Sequence, residues 1–159
     1  MSSGATPTVT ARKEKISNGH NVHYRLTVPN IHTLQAWPFA QTYRTNCQDL
    51  PSSWRFEMTF HGMAQDSSVS FSFFLKRKKS KNSIVNGALF RATVWVAFTT
   101  VNGSPIFPPT VFSKDILSPG EEILKSVETI PPLSDMGQFL GQELVVEISI
   151  MIRFCHTEG

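Results

Sequence analysis

Leu144-Val145-Val146-Glu147-Ile148-Ser149-Ile150-Met151-Ile152 decides the fold class. Only Glu147 and Ser149 interrupt this apolar run. Such density predicts a central strand covered on both sides. Working back, Ala88 to Thr100 holds Thr93, Val94, Trp95, Val96 and Phe98, a second long strand. Val22, Tyr24, Leu26 and Val28 alternate with His23, Arg25 and Thr27, the period-two pattern of a half-buried strand.

The intervening stretches carry the same signal. Trp54, Phe56, Met58 and Phe60 predict one strand, and Val69, Phe71, Phe73 and Leu75 another, with Ser70, Ser72 and Phe74 on its opposite face. Ile123 to Ile130 is a further candidate. Residues 31–52 read as irregular, broken by Pro38, Asn46 and Pro51. Lys76-Arg77-Lys78-Lys79-Ser80-Lys81-Asn82 reads as a loop too charged to bury. Pro105, Pro108, Pro109 and Pro119 make residues 104–120 edge strand or loop. Pro131-Pro132-Leu133-Ser134-Asp135 is expected to open a short helical turn capped by Ser134 or Asp135. About seven strands and no long helix predict an all-β, antiparallel β-sandwich of seven to eight strands.

The 159 residues suit one domain, and 40% hydrophobic content with 12 Phe and 3 Trp excludes a wholly disordered chain. We expect a flexible arm over residues 1–17, a domain over 18–154 and a short tail over 155–159. A formal charge of +3 is a mild excess, below that of dedicated nucleic-acid binders, so no nucleic-acid partner is expected. No run approaches the roughly 20 apolar residues of a membrane helix, and Met1 to Thr10 has no apolar signal core. The expectations are no membrane partner and a cytoplasmic or nuclear location.

The chemistry-bearing residues form no recognisable pattern. His20 and His23 stand three apart, but a strand would point them to opposite faces. Cys47 and Cys155 belong to no CxxC and show no metal-ligand spacing; two reduced thiols are expected, with neither metal nor cofactor. There is no Gly-x-Ser-x-Gly elbow and no Gly-rich phosphate loop. Glu121 and Glu122 would alternate across a strand, not converge as acid and base must. No enzymatic activity is expected.

Five blocks, taken in order, resemble a known family. "HYRLTVPN" at 23–30 resembles its F-x-W-x-I-x-N opening, and "SSWRFEMTFHG" at 52–62 its second block, where a tryptophan leads alternating apolar residues. "SSVSFSFFLKR" at 67–77 is similar to L-S-L-Y-L-x-L. "ATVWVAFTTVNG" at 92–103 is similar to A-x-F-x-F-x-I-x-N-x-x-G, and "GQFLGQELVVEISIMI" at 137–152 to G-x-L-x-x-D-x-L-x-I-x-x-x-V. The family is the MATH (meprin and TRAF homology) domain, most like the MATH regions of speckle-type POZ proteins. The resemblance covers roughly residues 20–153.

It implies an eight-stranded antiparallel sandwich without catalysis, the part of a cullin-RING ubiquitin ligase adaptor that receives substrates. There a short Ser/Thr-rich peptide lies in a shallow, aromatic-lined groove on one sheet. Block by block, that groove falls on Ser70, Ser72, Phe74, Val94, Ile116, Ser118, Pro119, Gly120 and Glu121. The family's aromatics are replaced here: a tyrosine by Ser72, a phenylalanine by Val94, and Trp-Gly-Phe by Pro119-Gly120-Glu121. Aromatic anchors supply much of the energy at such sites, so the familiar peptide preference should be lost. The expected partner is a protein or peptide ligand. The competing expectation is self-association of a structural β protein.

Overall fold

The computed structural model describes residues 8–28, 37–63, 67–133 and 143–156. These form two antiparallel sheets. In chain order the elements are β1 (Thr8–Ile16), β2 (Gly19–Val28), β3 (Trp37–Arg44), β4 (Ser53–Met63), β5 (Val69–Arg77), the short helix α1 (Ser83–Asn86), β6 (Phe90–Thr100), β7 (Pro105–Ile116), β8 (Glu122–Ile130) and β9 (Leu144–Arg153). The larger sheet runs β1-β2-β9-β6-β7 and the smaller β3-β4-β5-β8. The all-β sandwich expected from periodicity is therefore present. Nine strands, one more than the upper expectation, come from the described residues.

Each sheet turns one side of its pleat to the other. From the larger sheet come Tyr24 and Leu26 on β2, Ile148 and Ile150 on β9, and Val94, Val96 and Phe98 on β6. Trp54, Phe56 and Phe60 on β4 and Phe71 and Phe73 on β5 face them. Aromatic rings lock the layers together. Phe98 lies 5.9 Å from both Phe60 and Phe71, and Trp54 sits edge-on to Phe90 at 6.1 Å. Such pairs add about 0.5–1.5 kcal/mol each beyond the area they bury.

Several expectations change. Thr8–Ile16, read as a flexible arm, is an edge strand paired with β2 along its whole length. Its side chains are almost all exposed, so no apolar alternation betrayed it; pairing alone holds it. Residues 31–52, read as irregular, contain β3. The Pro-rich stretch 104–120 is mostly β7, an edge strand whose prolines break the ladder with β6 at register shifts. β9 is central, between β2 and β6, but only its inner side is fully buried; Glu147, Ser149 and Met151 look outward. The helical turn expected at Ser134 or Asp135 lies outside the described residues.

The basic run needs a larger correction. Lys78 to Lys81 are exposed or nearly so, but Arg77 is 1% exposed. Its guanidinium donates to the carbonyls of Ala88 (2.7 Å), Val85 (2.5 Å) and Ile116 (3.3 Å) and stacks 4.6 Å above the Phe90 ring. It ties α1 and the end of β7 to the rim of the core. A charge this deep persists because hydrogen bonds and the Phe90 ring face take the place of water around it.

Candidate functional site

The residues that sequence alignment places in one groove do not meet. Ser70, Ser72 and Phe74 line the outer face of the smaller sheet, with Ser72 opposite Ser126 and Phe74 opposite Leu124. His61 Nε2 lies 3.1 Å from the Ser72 hydroxyl. Val94 and Ile116 are fully buried, Val94 in the larger sheet. Ser118, Pro119, Gly120 and Glu121 form the β7–β8 turn. That turn satisfies itself: the Glu121 carboxylate accepts from the Leu117 N–H (2.9 Å) and the Ser118 hydroxyl (3.1 Å). The Leu117 N–H above all holds the Glu121 carboxyl below the ordinary carboxylate range, with smaller help from Ser118, Lys114 and Arg77. Gly120 sits at φ +92°, a left-handed turn conformation that favours glycine.

The error at Val94 is one of parity. A strand alternates faces, so a one-residue offset exchanges inside for outside. Ala92, Val94 and Val96 point inward, while Arg91, Thr93 and Trp95 point outward. Trp95 thus stands half-buried on the outer face of the larger sheet. One row crosses that sheet through paired positions Arg12, His23, Ser149, Trp95 and Val111. Val111 is 58% exposed. His23 lies 6.3 Å from the Trp95 ring and places Nδ1 2.7 Å from the Ser149 hydroxyl. Beside this row Glu147 meets His23 Nε2 at 3.6 Å and Arg25 at 3.4 Å. The result is an aromatic and aliphatic strip bordered by charge. The alternation of Arg91, Thr93 and Trp95 against Ala92, Val94 and Val96 was the signal in the sequence that could have found it.

A second constellation lies at one end of the sandwich. His20, Cys47, Cys155 and His156 bring one ligand atom each within 4.8 Å of the others. Three separate segments deliver them. His20 opens β2; it faces the same way as Val22 and Tyr24. Cys47 lies in the loop between β3 and β4, whose neck is tied by Thr45 N–H to Ser52 O (3.0 Å) and Ser52 N–H to the Thr45 hydroxyl (3.1 Å). Cys155 and His156 follow β9. Each cysteine comes after a residue in left-handed backbone, Asn46 (φ 54°) and Phe154 (φ 76°). Asn tolerates this; for Phe it costs about 1–2 kcal/mol. The Phe154 N–H donates to Asn18 O (2.8 Å), which pins the end of β9 to the β1–β2 turn. At that turn Gly19 is obligatory, since a Cβ there would stand 2.1 Å from Ile152 O.

Hydrogen bonds fix the rings and thiols. His156 Nε2 lies 3.0 Å from Ile16 O and must donate to that carbonyl, leaving the Nδ1 lone pair free in the neutral ring. Nδ1 lies 3.4 Å from both Cys47 Sγ and Cys155 Sγ. His20 Nε2 is buried without a hydrogen-bond partner among the described residues, and the two imidazoles meet edge-on at 5.1 Å. Burial, then His156 and Lys15, lower the His20 pKa. The hydrogen bond with Cys47 raises that of His156. Burial works to raise Cys47, but the N–H groups of Leu50 and Asp49, with His156 and Cys155, outweigh it and hold the thiol below its ordinary value. Burial and the neighbouring Cys47 push Cys155 up to about 12. Both thiols are unbridged and shielded from solvent.

Sequence spacing did not reveal this group, and Cys155, the first residue of the stretch read as a short tail, is fully buried. Residues 157–159 lie outside the described residues.

No protein-family model matches the chain, and no curated protein does. A solved structure of an arabinose-bound α-L-arabinofuranosidase is similar at TM-score 0.17 and 10% identity, over 79% of this chain and 25% of that one. The chain thus spans a quarter of that structure's length, and a likeness this slight carries no argument.

Proposed function

We propose that this domain is a non-catalytic protein-interaction module, a diverged relative of the MATH domains that present substrates to cullin-RING ubiquitin ligases. The observation that carries the reading is the half-buried Trp95 beside the exposed Val111 on the outer face of the larger sheet. Tryptophan is the residue most enriched at interface hot spots, and a single anchor ringed by polar groups is how such surfaces are built. An extended segment laid across β9, β6 and β7 would bury Trp95 and Val111 and meet the charges of Arg25 and Glu147 at the rim. The two-sheet antiparallel architecture supports the family resemblance, and eight strands remain when the edge strand β1 is set aside. Among the described residues no helix is long and apolar enough to cross a membrane.

Self-association through sheet edges finds less support. β1 carries Arg12, Lys13, Glu14 and Lys15; β7 carries Pro105, Pro108 and Pro109; β8 carries Glu122, Lys125 and Glu128. Charge and proline on edge strands are the usual guards against edge-to-edge pairing.

The test is selection of extended peptides from a displayed library by the immobilised chain. A shared motif is expected, with binding lost by roughly 30-fold or more in Trp95→Ala, as for a hot spot worth about 2 kcal/mol. Phe74→Ala, on the outer face of the other sheet, serves as control. If Trp95→Ala folds and binds as well as the parent, the reading is wrong.

A further inference from the structure

We propose that His20, Cys47, Cys155 and His156 form a closed structural zinc site that clamps the two sheets together at one end of the sandwich. The site is distinct from the proposed interaction surface, which lies on the outer face of the larger sheet.

Two thiols and two imidazoles make a Cys2His2 group, which selects zinc among the common divalent ions. The spacing fits. Zinc holds sulfur at about 2.3 Å and imidazole nitrogen at about 2.0–2.1 Å, so a tetrahedron has N···S edges near 3.5 Å. His156 Nδ1 lies 3.4 Å from each sulfur. The tautomer fits as well. Metal-bound histidine typically donates its other ring N–H to a carbonyl or carboxylate, and the His156 Nε2–H points at Ile16 O from 3.0 Å. Among the described residues the buried His20 Nε2 has no hydrogen-bond partner, a cost that a metal bond would remove.

Other chemistry accounts for the group less well. A thiol nucleophile paired with histidine needs a path to substrate, but Cys47 is 5% and Cys155 0% exposed. A Cys47–Cys155 disulfide would leave both imidazoles without a purpose in the cluster. Four protein ligands leave no open coordination position, so the site is structural and not catalytic. Its location matches that role. His20, Cys155 and His156 belong to the β2 and β9 ends of the larger sheet, and Cys47 to the loop preceding β4 of the smaller. One ion would thereby close a loop of more than a hundred residues, as the 108-residue separation of Cys47 and Cys155 shows.

The experiment uses the full chain purified under reducing conditions and analysed for metal, then stripped with a chelator and titrated with cobalt(II). The expected result is one zinc per chain as isolated, and one cobalt per chain after titration. The cobalt spectrum should show thiolate charge transfer and tetrahedral d–d bands, both lost when zinc is added. Cys47→Ser and His156→Gln should weaken cobalt binding by more than the roughly 10–100-fold that loss of an outer partner costs. His23→Gln, on the outer face, should not. Since a ligand variant can fail to fold, the thermal midpoint of the stripped parent is measured too: zinc should raise it and an equal concentration of magnesium should not. A parent chain that takes up no stoichiometric cobalt overturns the proposal. So does binding unchanged in both ligand variants, or a Cys47–Cys155 disulfide found by mass spectrometry in the protein purified with reductant.

Discussion

Arg77→Met offers the sharpest test of how the core is closed. The substitution keeps length and apolar stem but removes the guanidinium. Two carbonyls then lose the donor named for them, Ala88 beside α1 and Ile116 at the end of β7, while Val85 O keeps the Ala88 N–H at 3.0 Å. Each unsatisfied buried acceptor costs about 1–3 kcal/mol. The stacking of the cation on Phe90, at 4.6 Å, is lost as well. Against this, methionine avoids the desolvation of a charge that burial already disfavours in the native state. The net loss expected is about 3–5 kcal/mol, the range for removing one member of a buried, hydrogen-bonded charge system. For a chain of this length each kcal/mol moves the midpoint by about 2–4 °C, so thermal unfolding should begin roughly 6–20 °C lower. Circular dichroism melts, repeated in urea, provide the readout. Arg91→Met is the comparison, because Arg91 pairs with Asp115 on the exposed face; its melt should barely change. Arg77→Lys should recover only part of the loss, since an ammonium cannot span three acceptors as a planar fork can. A loss below about 1 kcal/mol in Arg77→Met would refute the reasoning, because it would mean the Ala88 and Ile116 carbonyls find other partners without cost.

Val94→Asp buries an unpaired carboxyl between the sheets and should cost several kcal/mol, yielding insoluble chain, whereas Trp95→Asp should give folded, soluble protein; equal solubility of the two would reverse the assigned parity. Gly19→Ala drives a methyl against Ile152 O and should destabilise by about 1–3 kcal/mol or more in urea melts, with no rescue from alanine's better chain entropy. Glu121 has a depressed pKa in the native state, so its contribution is present above the unfolded-state pKa and fades as pH falls through the native value. Glu121→Gln should therefore flatten the acid limb of the midpoint-against-pH curve, and an unchanged slope would remove the turn carboxylate from the account.

Much of the fold was legible because β-strands announce themselves locally. In β2, β4, β5, β6 and β9 every second side chain is apolar, and each of these strands was expected near its observed place. Of the missed strands, β1 has no such alternation, and β3 holds it only in part, with Phe39 and Tyr43 buried on either side of Gln41. β1 buries almost nothing, and β3 lies in a stretch broken by Pro38 and Asn46. Their existence depends on a neighbour's free edge, which no local pattern reports. The groove assignment failed for a related reason. Ser70, Ser72 and Phe74 do share an outward face, but alignment alone cannot say which sheet carries a residue or on which side, so Val94 and Ile116 were grouped with them although both lie in the core.

By itself the amino-acid sequence determined an all-β chain, its main strands, and the lack of any familiar catalytic motif, because those properties repeat over two to ten residues. Tertiary structure alone decided that Trp95 and not Val94 faces outward, that Arg77 leaves its basic run to enter the core, and that His20 meets His156 across 136 residues. Each of these depends on chain reversals that bring distant segments together. Side-chain chemistry at such junctions follows from where the backbone returns, and spacing along the chain holds no record of that return.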